Sequence, residues 1–207
     1  MEITSKIVGI LNITSDSFSD GGKYLDGNLA ISKADSLSLG GADIIELSAQ
    51  SSNIHATQIS EKDEWDRIQP ILQYCKSKGL KISLDTFKPF VIKKCIDEKV
   101  GYINSINSFR DPKSKEILQE CAKSLPELIL MFSHNNGDFA IKESKLDEKN
   151  VMEKIIRFFE NKFEEFSKLG IQKEKIIVDP GMGFFLSPDP MVSIRVLKNV
   201  QEFKKRF

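Results

Sequence analysis

Short apolar runs alternate along the chain with longer amphipathic segments. The first run, residues 7–11, is continuous instead of alternating with polar residues, which predicts a strand that is covered on both faces, as in a parallel sheet. The six runs are 7–11, 42–47, 81–84, 101–103, 128–131 and 175–178. Strands that alternate with helices in this way predict an α/β fold.

Local signals place helices between the runs. Asn28 is a candidate cap for one helix, Ser60 and Asp63 resemble a capping box before another, and Pro89 suits the first turn of a third. In a long segment from Asp147, the Lys and Glu residues are expected to face solvent. The residues predicted to face inward there are Val151, Ile155, Phe159, Phe163 and Phe166. The last predicted helix is built around Met191, Ile194, Leu197, Val200 and Phe203.

Composition narrows the class of protein. The 207 residues are 40% hydrophobic, which predicts one globular domain over residues 1–207. Thirty basic residues balance thirty acidic ones, so no overall charge favours nucleic acid or an anionic membrane. No apolar run approaches the roughly 20 residues of a membrane-spanning helix. Neither partner is expected.

Cysteine and histidine usage indicates a reducing compartment without structural zinc. Cys75, Cys95 and Cys121 lack the close spacing of a metal or redox motif and read as reduced thiols. His55 and His134 are the only histidines, and neither has a second ligand at zinc-binding spacing. We therefore expect a cytoplasmic protein.

Short polar residues follow five of the six predicted strands. In a parallel sheet, open or closed into a barrel, ligands bind beyond the carboxyl ends of the strands. Any one of these residues could simply form a turn, but together they predict a binding site. They are Asn12, Ser51 and Ser52, Asp85, Asn104, and Asp179.

Two stretches stand out locally. Residues 9–22 join a buried strand to a loop rich in hydroxyls, carboxylates and glycines, which is typical of a loop that closes around a phosphorylated ligand. Residues 177–185 end a strand in Asp179, continue through a Pro-Gly turn and reach Phe184 and Phe185. A carboxylate beside aromatic rings can bind the edge of a flat, guanidine-like heterocycle. For the two aromatics, core packing is the alternative.

These stretches, together with residues 41–45, 82–86 and 102–104, resemble the dihydropteroate synthase family in order and spacing. Residues 51–53, 88–89, 109–112 and 183–188 are most similar to the mobile sulfonamide-resistance branch of that family. The resemblance implies a TIM-barrel-type (β/α) fold. It also implies an enzyme that joins 4-aminobenzoate to 6-hydroxymethyl-7,8-dihydropterin pyrophosphate.

The resemblance further implies roles for single residues. Asp85, Asn104 and Asp179 would hold the pterin, with Asp85 and Asp179 as the catalytic pair, so that these side chains and Asn12 should converge. Asn12 would help to place Mg²⁺ on the pyrophosphate. Ser52 would border the aminobenzoate pocket. An extra aromatic wall there, Phe185, would reject sulfonamides while admitting the smaller substrate.

The sequence also departs from the family pattern. Asn53 replaces an anion-binding arginine, Ser105 stands where the family usually has Asp, and Phe132 stands where it commonly has His. The family's Ser-Arg-Lys-Ser and Arg-x-His motifs have no counterpart, so only six of the eight β/α units of a TIM barrel are expected.

Two alternatives and one question of assembly therefore stay open. The alternatives are a non-catalytic pterin-binding protein and a methyltetrahydrofolate-dependent methyltransferase. Strands at an open edge would favour aggregation, a homodimer, or pairing with a separately supplied C-terminal piece.

Overall fold

Strands and helices alternate in the structure as the sequence predicts. The structure is a computed structural model that describes residues 5–13, 27–50, 58–135, 144 and 146–207. The chain divides into two compact units, of which the first comprises residues 1–51 and 55–103 and the second residues 52–54 and 104–207. The single domain that composition predicts stays a prediction.

Parallel strands form the centre of the first unit. They are β1 (Val8–Asn12), β2 (Ile44–Ser48), β3 (Ile82–Asp85) and the start of β4 (Tyr102–Ser105). β1 pairs with β2, and β2 with β3. Every residue of β2 is buried, so this strand is covered on both faces. The sequence predicts the same cover for β1, and that prediction is wrong, because Val8 and Ile10 are 42% and 56% exposed. Since alternate side chains point to opposite faces, one face of β1 is open in the part of the chain described here.

Three helices of the first unit follow the local signals with one exception. They are α1 (Gly27–Leu39), α2 (Glu61–Ser77) and α3 (Pro89–Asp97). The Ser60 hydroxyl caps α2 by accepting a hydrogen bond from the Asp63 N–H at 3.0 Å, so the predicted cap is confirmed. Pro89 opens α3, also as predicted. Asn28 lies inside the first turn of α1 and not at its cap.

The second unit continues the same alternation. Its elements are the end of β4, α4 (Pro112–Glu120), β5 (Glu127–Met131), α5 (Val151–Lys168), β6 (Ile176–Asp179), α6 (Pro190–Lys198) and α7 (Val200–Arg206). β5 and β6 are parallel, with Met131 opposite Asp179 at their carboxyl ends. Among the helices that the structure describes, none has the length and apolar character needed to cross a membrane.

Helix α5 corrects the prediction of which side chains face inward. Phe159 and Phe166 are buried as predicted, but Phe163 is half-buried and stacks on Phe207 with 5.3 Å between ring centroids. Lys162, expected in solvent, is buried instead, because it shares the helix face of those two phenylalanines. Burial lowers the pKa of Lys162, and its partner Glu165 at 3.0 Å opposes that shift.

The last predicted helix is two helices in the structure, separated at Asn199. In α6 the buried residues are Val192 and Val196, and in α7 the buried residue is Phe203. The other predicted inward residues are exposed: Met191, Ile194, Leu197 and Val200. The prediction of a single helix with that apolar face is therefore wrong apart from Phe203.

The cysteines agree with the sequence. Cys75 and Cys95 are buried free thiols, and Cys121 is a half-buried free thiol. Burial raises the pKa of Cys95 well above its ordinary value, with a further contribution from the Glu64 carboxylate. Burial also raises the pKa of Cys75, to about 11, so neither buried thiol is a reactive thiolate at neutral pH.

Replacing Phe166 by Ala should destabilise the protein by about 3–5 kcal/mol, because the ring is fully buried and packs edge-to-face on Phe109. The matched control is Phe184→Ala, whose ring is 48% exposed and should change stability by about 0.5 kcal/mol or less. Urea unfolding of the three proteins measures both effects. Equal losses in the two variants would contradict the placement of the α5 core.

Candidate functional site

Three strands of the first unit end in a row of polar residues. Asn12, the last residue of β1, lies opposite Ser48, the last residue of β2, and Ser48 lies opposite Asp85, the last residue of β3. Neighbouring strands are about 4.8 Å apart, so Asn12 and Asp85 are separated by roughly 10 Å across Ser48. The predicted residues thus belong to the strand ends themselves instead of following them. This brings two of the predicted site residues to one edge.

A second polar pair lies one layer below this row. Glu46 in β2 is opposite Ser83 in β3, and the Ser83 hydroxyl donates to the Glu46 carboxylate at 2.9 Å. Both side chains are buried. Because Glu46 and Ser48 are two residues apart in one strand, they point to the same face of the sheet. The face that carries Ser48 is therefore polar over two layers.

Sequence reasoning missed a buried ion pair just beyond Asp85. Glu64 in α2 and Lys88 before α3 lie 2.7 Å apart, and both are almost completely buried. A signal was available, because Glu64 shares the helical phase of the apolar residues Ile68, Ile71 and Cys75. A carboxylate in that phase predicts a buried partner.

Asn104 lies in the second unit, within β4 and one residue before its end. It is half-buried. Its neighbour Ser105, which replaces the family's usual Asp, is buried and donates its hydroxyl hydrogen to Asn107 at 3.0 Å. Ser105 is thus engaged in holding the turn that follows β4.

Asp179 ends β6, and its carboxyl group has a shifted pKa. Burial raises the pKa of Asp179 above its ordinary value, and the Gly181 N–H, which donates to the carboxylate at 2.8 Å, opposes this. Gly181 has a φ of +70°, and a Cβ there would lie 2.3 Å from the Phe132 carbonyl oxygen. Only glycine fits this turn, so the turn holds the carboxylate close to the end of β5.

Phe185 follows that turn and is half-buried in a short 3-10 helix, Gly183–Phe185. Its carbonyl accepts the backbone N–H of His134 at 2.9 Å, which joins it to the segment after β5. The Nε2 atom of His134 is buried and has no hydrogen-bond partner in the described part of the chain. Phe132, in contrast, packs edge-to-face on Phe158 and belongs to the core.

A cavity of about 310 Å³ also lies in the second unit. Its lining residues are Ile106, Asn107, Arg110, Met131, Ser133, Phe158 and Lys162. Arg110 and Lys162 give it a cationic character, but Asn104 and Asp179 are not among its lining residues. It is therefore separate from the predicted pterin contacts.

The structure thus brings Asn12 and Asp85 together in the first unit and places Asn104 and Asp179 in the second. Their convergence on one ligand stays a prediction. Ser52, predicted to border the aminobenzoate pocket, lies outside the described residues, as does His55. Within the described ranges, no group of three or more His, Cys, Asp or Glu side chains could hold a metal ion.

Comparison with known proteins identifies relatives over nearly the whole chain. The family of pterin binding enzymes matches residues 8–207. Dihydropteroate synthase type-3 from Escherichia coli is 44% identical over 203 residues, which are 98% of this chain and 76% of that protein. The relationship is therefore not confined to a local motif.

Solved structures give the same result. The dihydropteroate synthase of Yersinia pestis in a sulfonamide complex superposes with a TM-score of 0.85 at 29% identity, covering 96% of this chain and 70% of that one. The Anaplasma phagocytophilum enzyme with bound 6-hydroxymethylpterin-monophosphate gives 0.79 at 31% identity, covering 97% and 75%. The TIM-barrel-type fold class predicted from the sequence is confirmed.

Replacing Asp179 by Asn should stabilise the protein at neutral pH. Since the folded protein holds the Asp179 proton more tightly than the unfolded chain, stability falls as pH rises from the ordinary pKa of 3.8 through the raised folded value. The variant lacks this loss, so its advantage over the parent should grow with pH from about 4 and then level off. Urea unfolding across pH 4–8 measures it. An advantage that shrinks with rising pH would contradict the burial of this carboxylate.

Proposed function

Because the chain belongs to the pterin binding enzymes, and among them to the dihydropteroate synthases, we propose that it joins 4-aminobenzoate to 6-hydroxymethyl-7,8-dihydropterin pyrophosphate. The family resemblance seen in the sequence is confirmed, including the link to the sulfonamide-resistance branch through the type-3 synthase. The observation that carries the proposal is that Asn12, Ser48 and Asp85 lie side by side at the ends of three paired strands, in a chain that belongs to this family. The named relatives favour a synthase over a methyltransferase.

In this proposal, carboxylates and amides at the strand ends hold the pterin. The pterin edge presents N–H donors and a carbonyl acceptor, which suit the carboxylates of Asp85 and Asp179 and the amide of Asn104. The half-buried Asp179 carboxylate accepts one N–H from Gly181 and has further lone pairs that a ligand could use. A bound N–H donor would also relieve the cost of burying that charge.

The reaction then needs positioning more than a protein nucleophile. The amine nitrogen of 4-aminobenzoate attacks the pterin methylene carbon and forms a C–N bond. The C–O bond to pyrophosphate breaks, the leaving group takes the electron pair, and the amine releases a proton. By fixing the pterin, Asp85 and Asp179 would align the methylene carbon for attack.

We propose Mg²⁺ as the cofactor and Asn12 as its protein ligand. Asn12 is half-buried at the end of β1 and offers one amide oxygen, a ligand type that Mg²⁺ accepts. One protein oxygen fits an ion that takes its remaining ligands from substrate phosphates and water. When bound, the ion would neutralise charge on the departing pyrophosphate.

A pterin-binding protein without turnover is the second candidate. Ser105 and Phe132, which replace residues usual in the family, both make internal contacts, with Asn107 and Phe158 respectively. These two positions therefore add no charge to a ligand site. Binding without turnover would identify this candidate.

The cellular setting follows from the cysteines and the substrates. Free thiols at Cys75, Cys95 and Cys121 suit a reducing compartment, and we propose a cytoplasmic location. The proposed partners are the two small-molecule substrates, without nucleic acid or membrane. A homodimer stays open.

The proposed activity is tested by calorimetric titration with the pterin pyrophosphate and by a coupled assay of pyrophosphate release with 4-aminobenzoate. Asp85→Asn should weaken pterin binding about tenfold to a hundredfold, because a hydrogen bond to a charged group is lost. Asp66→Asn, a change on the exposed face of α2, is the control and should bind like the parent. Absence of both binding and turnover in the parent would refute the proposal.

Phe185 provides a test of sulfonamide rejection. If its ring narrows the aminobenzoate pocket, Phe185→Gly should lower the sulfonamide concentration needed for inhibition while the KM for 4-aminobenzoate changes little. The neighbouring Phe184, 48% exposed, supplies the control variant Phe184→Gly. Inhibition curves of the three proteins compare them. Equal inhibition of Phe185→Gly and the parent would contradict this role.

A further inference from the structure

The ion pair between Glu64 and Lys88 is built into the segment that follows Asp85. The Lys88 ammonium lies 2.7 Å from one carboxylate oxygen of Glu64, and the Thr86 hydroxyl donates to the other at 2.6 Å. The Lys88 N–H also donates to the Thr86 hydroxyl at 3.3 Å. Thr86 and Lys88 are the first and third residues after Asp85. One carboxylate of α2 therefore holds the polypeptide immediately beyond the end of β3 at two points.

The same ammonium holds the segment that follows β2. It donates to the Ile59 carbonyl at 2.6 Å and to the Gln50 side-chain oxygen at 3.2 Å. That Gln50 oxygen also accepts the Ile59 N–H at 3.1 Å. The ammonium thus donates hydrogen bonds to Ile59 and Gln50 and forms an ion pair with Glu64. A single cation thus joins α2, the segment after β2 and the segment after β3.

Gln50 connects this arrangement to the polar row. The Ser48 hydroxyl donates to the Gln50 carbonyl at 3.0 Å, and Ser48 lies opposite Asp85. The ion pair therefore has contacts to the segments that follow both strands, β2 after Ser48 and β3 after Asp85. Apolar residues of similar volume can replace a buried ion pair without loss of stability, so its stabilising effect alone does not account for this pair. Its hydrogen bonds to Thr86, Ile59 and Gln50 fix the path of the two segments that follow β2 and β3.

We propose that Glu64 and Lys88 are positioning residues that fix Asp85 in the geometry needed to hold the pterin, an inference that rests on the proposed function. The pair acts through Asp85 and makes no contact with substrate. Loss of the pair leaves the end of β3 free to shift relative to the end of β2. Displacement of a positioned group by about 1 Å can cost on the order of a hundredfold in rate, and a displaced Asp85 also loses its charge-assisted hydrogen bond to the pterin.

The test removes both charges together. Glu64→Gln with Lys88→Met preserves the volume of both side chains and leaves no unpaired buried charge. Lys88→Met alone would leave the Glu64 carboxylate buried without its cation. The double variant should unfold at a urea concentration close to that of the parent. Its affinity for the pterin pyrophosphate, measured by calorimetry well below the unfolding transition, should fall tenfold to a hundredfold.

A double-mutant cycle shows whether the pair acts through Asp85. In the Asp85→Asn background, the double replacement should cause less than a further twofold loss of affinity, because the group that it positions is already impaired. A purely structural role predicts unchanged affinity in the folded double variant. The ion pair of exposed Lys76 with half-buried Glu98 supplies the control, Lys76→Met with Glu98→Gln, which should leave pterin affinity at the parent value.

The outcomes separate the two proposals. If the parent binds pterin, Asp85→Asn weakens binding and the double variant binds like the parent, the positioning role is overturned while the proposed function stands. Independent, additive losses from Asp85→Asn and from the double replacement would also overturn it. If the parent itself binds no pterin, the proposed function fails and the positioning role fails with it.

Discussion

Parallel pairing of β1, β2 and β3 is the constraint on which the proposed chemistry depends. The pairing sets Asn12, Ser48 and Asp85 side by side at the carboxyl ends of their strands. A one-residue slip in either ladder would turn the affected side chains to the other face of the sheet. The register is held by the buried residues of β2, which pack on both faces. A binding site thus follows from the same apolar pattern that makes the core.

The two units stabilise carboxylates that are shielded from solvent in different ways. In the first unit, Glu64 and Lys88 neutralise one another and use their remaining hydrogen-bonding capacity on neighbouring backbone and side chains. In the second, Asp179 is half-buried with one backbone N–H donor, and desolvation of the carboxylate raises its pKa. The difference has a functional meaning. Glu64 has a cation and a hydroxyl donor within the protein, whereas Asp179 has one backbone N–H donor and, in the proposed function, binds a ligand as well.

The sequence was a good guide wherever local pattern determines structure. All six apolar runs are strands, because short runs rich in Ile, Leu and Val favour extended backbone, and the Ser60 cap depends on residues three apart. It failed where a distant partner decides. Lys162 shares the buried face of α5, but its distant hydrogen-bond acceptor, the Ser108 carbonyl, cannot be inferred from the helical pattern. Pairing of Glu64 with Lys88 likewise depends on how α2 lies against the end of β3. The candidate site follows the same division, since strand ends can be predicted and their supporting contacts cannot.

The most direct test is a crystal structure of the chain with 6-hydroxymethyl-7,8-dihydropterin pyrophosphate bound. The proposed function predicts one pterin ring within hydrogen-bond distance of Asp85, Asn104 and Asp179, with the pyrophosphate towards Asn12. A ring bound elsewhere, or these side chains on separate surfaces of the molecule, would contradict it.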